Sequence, residues 1–129
     1  MILLCDEDIG IHVPQALTLV RRDARSLFSV GWLERPDTWW LERAGRNGWL
    51  VFSCNKRMLR VGSERAVIQG EKVGIVFLTK GEERLADVLW LLLVKWPWLE
   101  EIDRTLERPF ARFLSPTGRV STSWRDLKL

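Results

Sequence analysis

The chain has 129 residues, of which 47% are hydrophobic and 29% charged, with a formal net charge of +3. That balance excludes a disordered chain and suits one domain with a real hydrophobic core, while the mild basic bias permits a polyanionic partner without demanding one. Two cysteines and a single histidine exclude a disulfide scaffold and a zinc set.

Residues 2–5 (ILLC) read as a buried strand that runs into three acids, Asp6, Glu7 and Asp8. Pro14 suits a first helical turn, and Ala16, Leu17, Leu19 and Val20 carry an apolar face to about Asp23. Residues 27–30 read as a second strand. A second helix starts near Pro36 and Asp37 and runs to Arg46, with Gly45 and Gly48 marking its end. Residues 49–53 form a third, nearly all-apolar strand. Residues 54–61 read as a polar loop, 63–71 as a short helix, and 73–78 (VGIVFL) as the clearest strand in the chain. Residues 82–95 give the strongest helix, with Leu85, Val88, Leu89, Leu92 and Leu93 on one face. Pro97 either breaks it or begins a second helix to about Leu106. The tail, 110–124, reads as two short strands around the turn Ser115-Pro116-Thr117-Gly118.

Apolar strands alternating with helices predict an α/β fold: a mostly parallel central sheet flanked by helices on both faces, with a C-terminal β-hairpin-like tail. No basic stretch precedes an apolar one at the N-terminus, and the apolar run 88–94 is too short to span a bilayer, so the expected setting is soluble and cytoplasmic, with no membrane partner. The chain holds 8 Trp and no Tyr. Packing is the plain reading of these, and exposed ones could stack on bases or anchor a protein interface.

In a parallel sheet, ligands gather at the carboxyl ends of the strands. Asp6 follows the first strand, Asp37 opens the helix after the second, and Ser53 and Asn55 follow the third. Three separate stretches therefore bring oxygen-bearing groups to one rim. Such a set suits Mg²⁺ or Mn²⁺, which can activate water and neutralise charge building on a phosphodiester. Asp8 returns to the side of Asp6 if the strand geometry continues, and Glu7 faces away. The competing readings are that the triple acid marks only where a strand meets water, and that Asp37 is an ordinary acid favoured by the helix dipole. His12 reads as a surface or packing residue. Cys5 and Cys54 read as small thiols pointing off the metal side. Lys56, Arg57, Arg60 and Arg65 near this rim form either a solvated loop or a set of phosphate contacts. The segment after Glu107, with Arg108, Arg112, Arg119, Arg125 and Lys128 against Asp126, could extend an RNA surface or meet an acidic partner segment.

The strand end LLCDEDIG, the early helix acid in ERPDTWWLERAGRNG and the strand end WLVFSCNKRML together resemble a PIN-like domain, closest to the branch of VapC-type toxins in bacterial toxin–antitoxin pairs. The resemblance covers roughly residues 1–115, the core of a single domain spanning 1–129. It implies a compact α/β fold, Mg²⁺- or Mn²⁺-dependent ribonuclease activity, an RNA substrate and a cognate antitoxin protein; a homodimer stays open. Asp6 matches the acid ending the first strand and Asp37 the acid of the second helix. Ser53-Cys54-Asn55 matches a Ser/Thr-x-Asp element, with Asn where Asp is expected, and Arg57 falls where many relatives carry another acid.

The resulting expectation is a metal-dependent endoribonuclease toxin that hydrolyses RNA phosphodiesters. Asp6, Asp37, Asn55 and Ser53 would be its catalytic residues, and Asp6, Asp37, Asn55 and Asp8 its metal site. Lys56, Arg57 and Arg60 would hold RNA phosphate. The alternative is a catalytically weak PIN-like module that binds a protein partner or RNA, supported by Asn55 and Arg57. A nucleotide-binding domain is a weak third reading, because no Gly-rich phosphate loop follows any strand.

Overall fold

Short runs of Leu, Val, Ile and Phe, too apolar on both sides to face water, build the sheet. A computed structural model describes residues 1–122. Its elements are β1 (Leu3–Cys5), α1 (His12–Leu19), β2 (Ala24–Ser26), α2 (Asp37–Asn47), β3 (Leu50–Ser53), α3 (Gly62–Gly70), β4 (Gly74–Leu78), α4 (Leu85–Thr105), β5 (Phe110–Leu114) and β6 (Val120–Ser121). The strands form one sheet in the order β2-β1-β3-β4-β5-β6, parallel throughout except for β6. The expected α/β architecture, a mostly parallel sheet between helical layers, is the one observed.

Strand residues alternate between two cores. Leu3, Cys5, Leu50, Phe52, Val76 and Leu78 meet α1 and α4 on one face. Leu4, Val51, Ile75, Phe77 and Phe113 meet α2 and α3 on the other. The connections β3–α3–β4 and β4–α4–β5 step in the same direction along the sheet, yet their helices cover opposite faces. They are therefore of opposite hand, against the strong right-handed rule for such crossovers. Among the described residues, the eight-residue α1 is otherwise alone on its face. The 21 residues of α4 complete that cover with Val88, Leu91, Leu92, Trp96, Leu99 and Ile102.

Several elements differ from expectation. The second strand is Ala24–Ser26, not 27–30. Ser26 and Ser29 exchange backbone-to-hydroxyl hydrogen bonds of 3.0 Å each way, and Val30 N–H donates to the Ser26 carbonyl, which turns the chain out of the sheet. Phe28 consequently stands 58% exposed. Residues 54–61 are not simply a polar loop: a 3-10 turn at Lys56–Leu59 buries Met58 and Leu59 in the α2–α3 core. Pro97 neither ends nor restarts a helix, because α4 runs through it. Proline inside a helix costs about 3 kcal/mol. Buried side chains on both sides of it, Leu92 and Trp96 before, Leu99 and Ile102 after, outweigh that cost.

The first helix is also shorter than the reading to Asp23, ending at Leu19. The tail forms two strands as expected: β5 adds in parallel to β4, and the 115–118 turn returns β6 antiparallel, with Gly118 at φ +91°. Trp124, Arg125, Asp126 and Lys128 lie outside the described residues.

Candidate functional site at the rim between β1 and β3

The chain steps one way from β1 to β2 and then the other way from β2 to β3, so β1 and β3 flank the point where the strand order reverses. Crevices for ligands open at the carboxyl ends of the strands at such points. Here that crevice is an open cleft lined by Asp6, Glu7, Asp8, Asp37, Cys54, Asn55, Lys56 and Arg57.

Asp6 sits just past β1, its N–H donating to the Phe52 carbonyl of β3 at 2.9 Å. It is 8% exposed. Its Oδ1 accepts from Glu7 N–H at 2.7 Å, capping a 3-10 turn at Glu7–Ile9, and its Oδ2 accepts from the buried Ser53 hydroxyl at 2.8 Å. The turn, rather than continued strand geometry, brings Asp8 back to the side of Asp6. Asp8 Oδ2 accepts from Cys54 N–H at 3.0 Å and lies 3.3 Å from Ser53 Oγ. Ser53 Oγ also accepts from Asn55 N–H at 2.9 Å. One hydroxyl thus joins the ends of both strands to two acids and to the backbone of Asn55.

Burial raises the Asp6 pKa to about 6, with the Asp8 charge adding to it and the Ser53 and Glu7 hydrogen bonds holding it down. Asp8 is raised as well, again by burial first. Both also feel Asp37, across the cleft on the first turn of α2. The i,i+3 spacing that aims Asp37 at the rim also gives it a partner, since the Trp40 indole N–H donates to its Oδ1 at 3.1 Å.

The first 80 residues match a family model described as a PIN like domain. The chain belongs to the PIN-like domain family. No curated protein and no solved structure matches it significantly.

In this PIN-like domain the expected site residues converge unevenly. Asp6, Asp8, Asp37, Asn55, Lys56 and Arg57 all line the cleft, and Ser53 lies directly beneath it. Lys56 Nζ donates to the Thr79 carbonyl at 2.6 Å, tying the cleft to the segment after β4. Arg60 is exposed and stands outside the lining set, as does Arg65, which donates to the Leu59 carbonyl. His12 is exposed beside Gln15, at 3.2 Å. Cys5 is buried in the core, its thiol pushed upward by burial and by Asp6 and Asp8. Cys54 does not point wholly away from the site: it lines the cleft, half-buried, and burial with the same two acids pushes its pKa up to about 12. Neither thiol is a nucleophile at neutral pH.

Two acids escaped the sequence reading. Glu64, in the first turn of α3, meets Asp37, and burial followed by the hydrogen bond to Asp37 raises its pKa while Arg57 lowers it. Its Oε2 is buried without a hydrogen-bond partner among the described residues. Glu83, after β4, adds to the charge that raises Cys54. The only sequence signals for them were an acid in the first turn of a helix and an acid just after a strand.

A hard ion such as Mg²⁺ takes a few carboxylate oxygens and keeps several waters. In this cleft Asp6, Asp8 and Asp37 supply carboxylates, Asn55 adds no charge, and Arg57 places a cation on the same lining. Among the described residues no three His, Cys, Asp or Glu side chains are grouped to hold a metal ion. Among the same residues, no helix is long and apolar enough to cross a membrane.

Proposed function

We propose that this chain is a PIN-like module that binds RNA, with little or no hydrolysis of its own. One observation carries the reading: Asn55 and Arg57 line the cleft, and these are the positions at which the resemblance to VapC-type toxins implies carboxylates. Arg57 and Lys56 offer cationic contacts to a phosphate entering the cleft, and such contacts make binding fall with salt. The reading treats residues 1–129 as one domain, supported by β5 extending the same sheet beyond the family match.

The test is calorimetric titration with Mn²⁺ beside anisotropy of a labelled RNA at several salt concentrations. A silent Mn²⁺ titration with salt-sensitive RNA binding is the expected result. RNA binding that is absent at low salt ends the proposal.

A second reading, a Mg²⁺- or Mn²⁺-dependent endoribonuclease serving as the toxin of a toxin–antitoxin pair in the cytoplasm, has one observation in its favour. Asp6 and Asp8 are held together by Ser53 with Asp37 facing them, a crowding of acids that a divalent cation relieves. Saturable Mn²⁺ binding together with cleavage of a mixed RNA pool, both lost in Asp6→Asn, selects this reading over the first.

A further inference from the structure

Beyond the cleft, three half-buried tryptophans on the α2 side touch in series. Trp32 stacks on Trp49 with centroids 5.5 Å apart and planes 19° apart, and it meets Trp39 edge-on at 5.8 Å. Guanidinium groups close both ends. Arg25 lies 5.0 Å from the Trp49 ring centroid, while Arg43 and Arg35 lie 3.4 Å and 4.8 Å from that of Trp39. These six residues come from β2, the segment before α2, α2 itself and the position before β3, so only the fold assembles them. Trp39 is two residues beyond Asp37 on the first turn of α2, so the two side chains leave the helix on different faces.

Packing alone is an incomplete account of this cluster. The three indoles lie against the α2–α3 core yet stay partly open to solvent. The charge is also poorly balanced: among the described residues one ion pair reaches these arginines, Arg25 with Asp23 at 3.5 Å. Arg43 donates to the Trp39 carbonyl, and Arg35 is exposed. A guanidinium laid on an indole is held flat, keeps its N–H edge for a phosphate and offers its outer face to a base. A run of flat faces closed by positive edges fits an unpaired nucleic-acid strand. A duplex hides its base faces, and an acidic peptide has none to stack.

We propose that Arg25, Trp49, Trp32, Trp39, Arg43 and Arg35 form a binding track for single-stranded RNA. The inference rests on the RNA-binding reading above and adds to it where the strand runs and that it is unpaired.

The experiment measures anisotropy of a labelled 12-nucleotide single strand against the full chain, with a duplex of the same length and inorganic polyphosphate as competitors. The wild type, Arg35→Gln, Arg43→Gln, Trp32→Leu and Arg57→Ala are compared, their folding checked by circular dichroism. The track predicts that each arginine variant weakens binding about 3- to 10-fold and lowers the salt slope by about 0.7, the share of one single-strand phosphate. It also predicts quenching of tryptophan fluorescence on binding, diminished in Trp32→Leu, and poor competition by the duplex and polyphosphate. If Arg57→Ala loses binding while the folded Arg35 and Arg43 variants match the wild type, the track is overturned and the cleft reading stands. Loss in the track variants with no effect of Arg57→Ala keeps the track and removes the cleft. Equal competition by polyphosphate, or no binding by the wild type, overturns the track.

Discussion

Between its ordinary value of 3.8 and about 6, Asp6 holds a proton in the folded protein that it has lost in the unfolded chain. The unfolded state then binds fewer protons, so folding stability falls as pH rises from about 4 to about 6 and levels off above. A shift of about two units corresponds to about 3 kcal/mol at most, at 1.36 kcal/mol per unit. Asp8, raised in the same direction, adds to the slope. Asp6→Asn removes the charge but replaces one of two accepting oxygens by a donor, so the net gain is smaller. Urea unfolding at pH 7.5 should show Asp6→Asn equal to the wild type or more stable by about 1–2 kcal/mol, with a flatter profile between pH 4 and 6. A variant that is weaker at every pH means the hydrogen bonds to Ser53 and Glu7 are worth more than the charge costs. Asn55 and Arg57 belong to this scale too. Asn55→Asp adds the missing negative charge, and ligand charge is a main determinant of affinity for a hard cation. An inward guanidinium could pair with that new carboxylate, so the larger gain is expected in Asn55→Asp with Arg57→Ala. Mn²⁺ calorimetry should show heat in the double variant and little in the wild type; equal, silent titrations in the wild type, Asn55→Asp and the double variant mean the rim cannot become an ion site by charge alone.

Elements were legible where one local signal dominated. The second helix was read from Pro36 and Asp37 to Arg46 and is observed at Asp37–Asn47, because a proline start, a buried stripe and a Gly48 stop at φ +69° agree. Residues 27–30 misled because Leu27, Phe28 and Val30 look strand-like, whereas the Ser26–Ser29 hydrogen bonds that decide the turn leave no apolar pattern. Pro97 was ambiguous for a tertiary reason: what keeps α4 intact is burial against strands from across the chain. Gly45 shows the same limit. It reads as helix punctuation, but a Cβ there would lie 2.5 Å from the Glu71 carbonyl oxygen and 3.0 Å from Val73, so α2 needs Gly45 to approach the α3–β4 connection. Gly45→Ala improves helix propensity by about 1 kcal/mol, yet the backbone contact cannot yield as a flexible side chain would. The expected balance is a loss of about 1–3 kcal/mol, read as a lower thermal midpoint. A raised midpoint shows that the two segments can separate without cost.

At the scale of the molecule, the rim was legible because a parallel sheet sends every strand end to one side: Asp6, Asp37 and Asn55 could be assigned together before any distance was known. Glu64 was not legible, because its meeting with Asp37 depends on how α3 packs on α2. The face chosen by α4 was hidden as well, and it has a consequence for what can fold alone. The family match ends at residue 80, before α4 begins. A chain stopping there keeps the cleft side chains but leaves β4 as an edge and uncovers Cys5, Phe52, Val76 and Leu78 on the α1–α4 face. It also forgoes the six buried side chains of α4. At about 1.5–3 kcal/mol each, these six amount to roughly 10 kcal/mol or more, before subtracting the entropy of ordering the helix. Whole domains are stable by about 5–15 kcal/mol. Residues 1–80 should therefore lack a cooperative thermal transition and aggregate through the uncovered sheet face, whereas residues 1–122 should unfold cooperatively. Circular dichroism melts with size-exclusion chromatography of both chains make the comparison. A sharp melt from a monomeric 1–80 fragment would show that the cleft and its half-sheet are the folding unit and that α4 and β5 are an addition to it.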